Sequence, residues 1–259
     1  MIKQLAGYLL FTLILVSGLP QTAFAEQGMT MAEAINKAGR QRMLTQRIVK
    51  SYCQMGQDVR YRVASKHLKG SIKLFEEQLA QLKTFTNDSE TKHGLELVEQ
   101  LWEPVKLNAA AGIDRDRAER LRSDAEKLLI AAHKVVLLLE HQSDSNQGHL
   151  VNIAGRQRML SQRLGNLYML LSWKFDNPQY RADYNKAKGE FDEALHELTG
   201  ANENTAEIQE NLKKVSQNWE MFKLSDRMAD SEYVPGLVAR MLDKILVQMN
   251  EITGQYAAL

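Results

Sequence analysis

Apolar residues recur along this chain at the three- and four-residue spacing of amphipathic helices, and β-branched runs of alternating polarity are absent. Proline and glycine are sparse, whereas Ala, Leu, Glu, Lys, Gln and Arg dominate. Polar or breaker-containing clusters interrupt the helical pattern at residues 87–89, 112–114, 143–146, 176–178, 200–202 and 235–236. The pattern predicts an all-α protein made of two tandem up-down four-helix bundles.

The two halves of the chain are homologous, because segments recur at a nearly constant offset. Residues 38–47, AGRQRMLTQR, return 116 residues later as AGRQRMLSQR. Residues 75–82 also resemble the stretch at that offset, and Trp102 has a counterpart in Trp219. A duplicated core could diverge and still pack, so a nearly unchanged arginine-rich segment indicates that two copies of one site are in use.

The first 25 residues belong to neither bundle and resemble a secretory signal peptide. Lys3 precedes an apolar run from Leu5 to Ser17, and Ala23-Phe24-Ala25 forms a small-x-small cleavage site. We therefore expect export to the periplasm, with an uncleaved N-terminal anchor as the alternative. The expected division is a signal peptide at 1–25, a first bundle at 26–142 and a second bundle at 148–259.

Charge and cysteine content restrict the partners. The chain has 33 basic and 32 acidic residues, and removal of the signal peptide takes away only Lys3, which leaves a net charge of zero. No overall field favours nucleic acid or an anionic membrane surface. The single cysteine, Cys53, excludes an internal disulfide and a Cys-x-x-Cys-His haem attachment site.

A helical wheel separates the repeated motif into two faces. Leucines of the second copy, beginning with Leu160, form a core stripe, and Arg158 lies on the opposite side among small and apolar residues. Arg42 has equivalent neighbours in the first copy. Because glycine inside a helix costs about 1 kcal/mol relative to alanine, Gly39 and Gly155 indicate close approach by another helix.

Four up-down helices return the chain to its starting end, so the first helices of the two units are expected to be parallel and related by a pseudo-twofold axis. Arg42 and Arg158 would then converge on one small anion, which would relieve a mutual repulsion of roughly 3 kcal/mol. The alternative is that they extend to solvent or pair with acidic residues. The other arginines of the motif lie on the flank of the helix and are interpreted as salt-bridge or solvent residues, with a supporting role at the site as the alternative for the last two: Arg40, Arg156, Arg47 and Arg163. The expected supporting residues are Arg47, Arg163, Gln46 and Gln162.

At this motif the chain resembles the periplasmic sensing domains of nitrate/nitrite sensor kinases and the PilJ-type domain of type IV pili methyl-accepting chemotaxis transducers. The matching residues are Asn36, Gly39, Arg42, Met43, Thr45 and Arg47, and again Asn152, Gly155, Arg158, Met159, Ser161 and Arg163. In the sensor kinases this arginine binds nitrate or nitrite at a homodimer interface. The resemblance implies Arg42 and Arg158 as ligand residues, with Gly39 and Gly155 beside them.

The chain departs from these relatives in two respects. They carry transmembrane helices and cytoplasmic signalling domains, so we expect this tandem version to signal through a partner such as a membrane sensor or chemotaxis protein. Arg40-Gln41 and Arg156-Gln157 are more polar than the corresponding pair in the nitrate kinases, which leaves the anion open.

Enzymatic interpretations have weaker support. The Glu-x-x-His segments at 90–93 and 193–196 are not repeat equivalents, which disfavours a di-iron site. Haem held by Met and His stays an alternative, although methionine at helical spacing usually fills a core. His133, His141 and His149 are interpreted as surface residues at helix ends. We expect no catalysis, metal or cofactor.

Two function classes remain. The first is a periplasmic module that binds and senses a small oxyanion such as nitrate or nitrite. The second is an envelope interaction or scaffold protein whose arginine-bearing helix face binds a protein partner. A monomer with an intramolecular pseudo-dimer is expected, with pairing between chains as the alternative.

Overall fold

The computed structural model describes residues 28–228 and 232–259, so the expected signal peptide at 1–25 lies outside the described residues. The described part is all-α, as the sequence predicts. Its helices are α1 (Met31–Gly56), α2 (Tyr61–Phe85), α3 (Ser89–Ala110), α4 (Arg115–Ser143), α5 (Asn146–Ser172), α6 (Pro178–Thr199), α7 (Ala206–Met228) and α8 (Pro235–Ala257). Helices α1 to α4 form one bundle and α5 to α8 form the second.

Local capping explains where α1 and α5 begin. Thr30 and Glu33 form a capping box at the start of α1. Ser145 caps α5 by accepting a hydrogen bond from the backbone of Gly148, so only Asp144 and Ser145 separate α4 from α5. The break expected at 143–146 is therefore short, because Ser143 ends α4 and Asn146 begins α5. The division at 26–142 and 148–259 stays a prediction.

The turn between α1 and α2 was not predicted by the breaker pattern. Residues 57–60 contain neither glycine nor proline, yet Asp58 and Arg60 adopt positive φ angles of 54° and 51°. Left-handed backbone at such residues is uncommon and has no reliable sequence signal. The first long helical pattern therefore divides into two antiparallel helices.

Each bundle contains the same aromatic core. Phe75 stacks on Trp102 with ring centroids 4.1 Å apart, and Phe191 stacks on Trp219 at the same distance. All four side chains are buried. The equivalent packing confirms that the sequence repeat is a structural duplication.

The two bundles meet mainly through α1 and α5, which run parallel and in register. At one end the Cα of Gly155 lies 3.9 Å from the position that a Cβ on Gly39 would take. At the other end the Gln57 side chain donates to the carbonyl of Met169 over 2.9 Å. This arrangement confirms the predicted pseudo-twofold pair. In the described ranges, none of the helices has the length and apolar character needed to span a membrane.

Candidate anion site between α1 and α5

The site is built around two arginines that cross between the parallel helices. Arg42 of α1 donates from Nη2 to the backbone carbonyl of Asn152 on α5 over 3.1 Å. Arg158 of α5 donates from Nη2 to the carbonyl of Asn36 on α1, also over 3.1 Å. The two contacts are reciprocal, so the pseudo-twofold axis passes between the guanidinium groups.

The glycine pair provides the space in which the arginines meet. A Cβ on Gly39 would lie 3.3 Å from Nη2 of Arg42 and 3.4 Å from Nη2 of Arg158. A Cβ on Gly155 would lie 3.2 Å and 3.4 Å from the Nη2 atoms of Arg158 and Arg42, respectively. The structure therefore brings all four sequence-predicted ligand residues to one place, and any larger side chain at either glycine would contact both guanidinium groups.

Both arginines are buried without an acidic partner. Arg42 is 1 % exposed and Arg158 is 0 % exposed. Among the described residues, no carboxylate oxygen lies within 4.0 Å of either guanidinium group. The alternative that these arginines extend to solvent or pair with acidic residues is therefore wrong for the described part of the chain.

Desolvation makes these positive charges costly. Burial, with a further contribution from the charge of Arg156, lowers the pKa of Arg42 to about 9. Burial also lowers the pKa of Arg158, and the charges on Arg40 and Arg42 act in the same direction. The charge of Glu140 opposes the shift at Arg42. Two buried cations that form no ion pair attract negative charge.

Each guanidinium group keeps free donors at Nε and at Nη2, and the Nη2 atoms lie beside the glycine pair. The buried Nε atoms of Arg42 and Arg158 have no hydrogen-bond partner. Each Nη2 donates one hydrogen bond to a carbonyl, which leaves its second hydrogen available. The Nε and Nη2 hydrogens of one arginine form the fork that holds a planar oxyanion through two parallel hydrogen bonds.

The outer ends of the two arginines have different partners. Nη1 of Arg42 contacts Nδ1 of His133 at 3.1 Å, whereas Nη1 of Arg158 donates to Oδ1 of Asn36 over 2.8 Å and to Oδ1 of Asn250 over 3.1 Å. Because Arg42 can only donate, Nδ1 of His133 accepts and its ring is neutral. Burial, followed by the charge of Arg42, lowers the pKa of His133 to about 4.

His133 was interpreted as a surface residue at a helix end. It is exposed, but it lies within α4, away from both ends, and its contact with Arg42 was missed. Asn250 of α8 was also missed. Neither residue belongs to the repeated motif.

The glutamines predicted as supporting residues lie one turn further along the same interface. Gln46 and Gln162 are both fully buried. Gln46 donates to Glu126 over 3.0 Å and accepts from Asn166, and Gln162 accepts from Lys50 over 2.9 Å. Their contacts thus tie α1 to α5 beside the arginines, and a direct role in ligand binding stays a prediction.

The flanking arginines behave in two ways. Arg156 pairs with Glu190 at 3.2 Å, and Arg163 pairs with Glu126 at 2.7 Å, as expected for salt-bridge residues. Arg40 instead donates to Asn250 over 3.1 Å, and Arg47 lines a cleft beside α8. The predicted supporting role of Arg47 and Arg163 is not tested by these contacts.

The Glu-x-x-His segments at 90–93 and 193–196 place their acidic and histidine side chains on exposed faces of α3 and α6. Within the described ranges, no three or more His, Cys, Asp or Glu side chains form a group suited to holding a metal ion.

Comparison with known proteins agrees with this architecture. The family model for PilJ, the type IV pili methyl-accepting chemotaxis transducer N-terminal domain, matches residues 25–128 and again residues 141–234. No curated protein and no solved structure gives a significant match. Both copies of the arginine motif fall within the matched segments. The chain therefore belongs to the PilJ family of chemotaxis sensory modules, whose N-terminal domains are typically periplasmic, and it carries two consecutive copies of the domain.

Proposed function

We propose that this protein is an exported, non-catalytic sensor that binds one small oxyanion between Arg42 and Arg158. The observation that carries the proposal is the burial of two convergent guanidinium groups to 1 % and 0 % exposure without a carboxylate within salt-bridge distance in the described residues. An anion at this position would compensate both charges at once. It would gain charge-assisted hydrogen bonds, which are about twice as strong as neutral ones.

The size of the ligand follows from the glycine pair. The two helices approach so closely at Gly39 and Gly155 that only an anion of a few atoms would fit between the guanidinium groups. A planar oxyanion matches the Nε and Nη2 edges. Nitrate and nitrite have this shape, and the resemblance to the nitrate/nitrite sensor kinases favours them over other small anions.

The scaffold alternative has less support. It requires the arginine-bearing helix face to be available to a protein partner, but Arg42, Arg158 and their glycines face the other unit of the same chain. A partner in chemotaxis signalling would therefore contact another surface and respond to a change in how α1 and α5 pack.

Isothermal titration with nitrate, nitrite and chloride tests the proposal on the chain without its signal peptide. We expect nitrate or nitrite to bind, and Arg42→Gln and Arg158→Gln each to weaken binding by roughly 1.5 to 3 kcal/mol, the usual value for a charged hydrogen bond. The double variant should lose little more than either single variant, because one site needs both charges.

Arg120→Gln is the matched control, since Arg120 on α4 is exposed and lies 3.9 Å from Asp114, and its charge does not contribute to the pKa shift of Arg42 or Arg158. It should leave nitrate affinity unchanged. Unaltered binding in both site variants would remove Arg42 and Arg158 from the mechanism. Independent, fully additive losses would mean two separate sites.

A further inference from the structure

Two clefts flank the α1–α5 pair and are related by the same pseudo-twofold axis. The first cleft, of about 280 Å³, lies between α1, α2 and α8 and is lined by Arg40, Arg47 and His67 among others. The second cleft, of about 310 Å³, lies between α4, α5 and α6 and is lined by the repeat equivalents Arg156 and Arg163. The chain therefore contains two versions of one surface feature, and their differences can be compared directly.

The second cleft neutralises its arginines with carboxylates of the protein. Arg156 pairs with Glu190 at 3.2 Å. Arg163 pairs with Glu126 at 2.7 Å and with Asp183 at 3.6 Å. Both arginines thus have acidic partners within the cleft.

The first cleft lacks two of these three carboxylates. His67 and Leu74 occupy the positions equivalent to Asp183 and Glu190. The remaining acid, Asp243, binds the buried Lys50 and also Arg60, the latter at 3.1 Å. Within the described ranges, Arg40 and Arg47 consequently form no ion pair, although their counterparts in the second cleft do.

Three side chains that line the first cleft each have one buried nitrogen without a hydrogen-bond partner: Nε of Arg40, Nε of Arg47 and Nδ1 of His67. Burial and the charge of Arg47 lower the pKa of His67 to about 4. The same cleft is also lined by apolar side chains, those of Leu246 and of Val247, which is 67 % exposed. Unpaired positive charge next to exposed hydrocarbon is suited to an organic anion.

We propose that the first cleft binds a small carboxylate with a short hydrocarbon body, separately from the oxyanion between Arg42 and Arg158. The carboxylate of the ligand would pair with Arg40 and Arg47, where the second cleft uses Glu190 and carboxylates near Arg163. The hydrocarbon would lie against Leu246 and Val247. The cleft volume is close to the lower end of the roughly 300 to 1,000 Å³ typical of small-molecule sites, which suits a ligand of a few carbon atoms.

Titration calorimetry with butyrate and with succinate, in chloride of matched ionic strength, tests this assignment. We expect at least one of them to bind, and the preferred one to show whether the site takes one carboxylate or two. Arg47→Gln should weaken binding roughly tenfold or more, because a charged hydrogen bond is lost. Arg163→Gln is the matched control in the second cleft and should leave carboxylate affinity unchanged.

The most informative variant gives the first cleft the two carboxylates that it lacks relative to the second cleft. His67→Asp combined with Leu74→Glu supplies the two missing carboxylates, so the double variant should melt at the same or a higher temperature and lose butyrate and succinate binding. It should keep nitrate affinity, which separates this site from the one between α1 and α5. The proposal is overturned if neither carboxylate binds the wild-type chain, or if the folded double variant or Arg47→Gln binds as tightly as wild type.

Discussion

The substitution Gly39→Ala should affect ligand binding without disturbing the packing of α1 against α5. In Gly39→Ala the new Cβ would lie 3.9 Å from the Cα of Gly155, which is ordinary van der Waals contact. It would also lie 3.3 Å and 3.4 Å from the Nη2 atoms of Arg42 and Arg158, which is too close for an undisturbed arrangement. Both backbones can therefore stay in place while the ends of two flexible side chains move.

The expected change in the free energy of unfolding is small because two effects oppose each other. Alanine in place of glycine in a helix interior stabilises by up to about 1 kcal/mol. Forcing a side chain off its preferred rotamer costs about 0.5 to 1.5 kcal/mol. Without nitrate, stability should thus change by no more than about 1 kcal/mol in either direction. Nitrate affinity should fall at least about tenfold, since each charged hydrogen bond contributes about 1.5 to 3 kcal/mol.

Urea unfolding in nitrate-free buffer measures the free energy of unfolding, and titration calorimetry measures the affinity for nitrate. Gly189→Ala on α6 is the matched control, because a Cβ there has no neighbouring atom within 4 Å. It should stabilise the fold slightly and leave nitrate binding intact. Wild-type nitrate affinity in Gly39→Ala would refute the assignment of the anion to the space over the glycine pair.

Three further outcomes are expected. The pKa values of His67 and His133 are lowered from 6.5 to about 4 in the fold, so the unfolded chain binds protons first as the pH falls. The free energy of unfolding should therefore decrease from pH 7 to pH 5 in urea titrations, and His67→Gln with His133→Gln should reduce that slope. Gly56→Ala should lower stability by roughly 1 to 3 kcal/mol in the same assay, despite the gain in helix propensity, because its Cβ would overlap the Trp173 ring. Light scattering should give a monomer, since one chain supplies both halves of the α1–α5 interface; a tight dimer that dissociates when the two units are separated would contradict this.

Sequence patterns were sufficient for the architecture because the relevant signals are local. Helical periodicity fixed the class, and a constant repeat offset fixed the pairing of two equivalent first helices. The face of α1 that carries Gly39 and Arg42 was visible on a wheel, because both residues belong to one helix. These features could be worked out without knowing how distant helices pack.

The rest of the site depends on contacts between residues that are far apart in the sequence. The spacing of residues within one helix does not predict such contacts. His133 reaches Arg42 from α4, which is 91 residues away, and Asn250 reaches Arg158 from α8. Their positions depend on the rotation of α4 and α8 against the first helices, which side-chain packing decides. The first cleft was missed for the same reason. Its excess of positive charge depends on the packing that brings Arg47 of α1 and His67 of α2 to the same cleft.

Joining both halves in one chain allows a kind of interface that two identical subunits could not form. Lys50 is fully buried, and its Nζ donates to Gln162 over 2.9 Å, whereas its repeat equivalent is the neutral Asn166. In a pair of identical subunits a lysine here would occur twice, burying two ammonium groups at equivalent positions of the same interface. Duplication followed by fusion removes that constraint, so each side of the axis can change its charge without imposing the same change on the other.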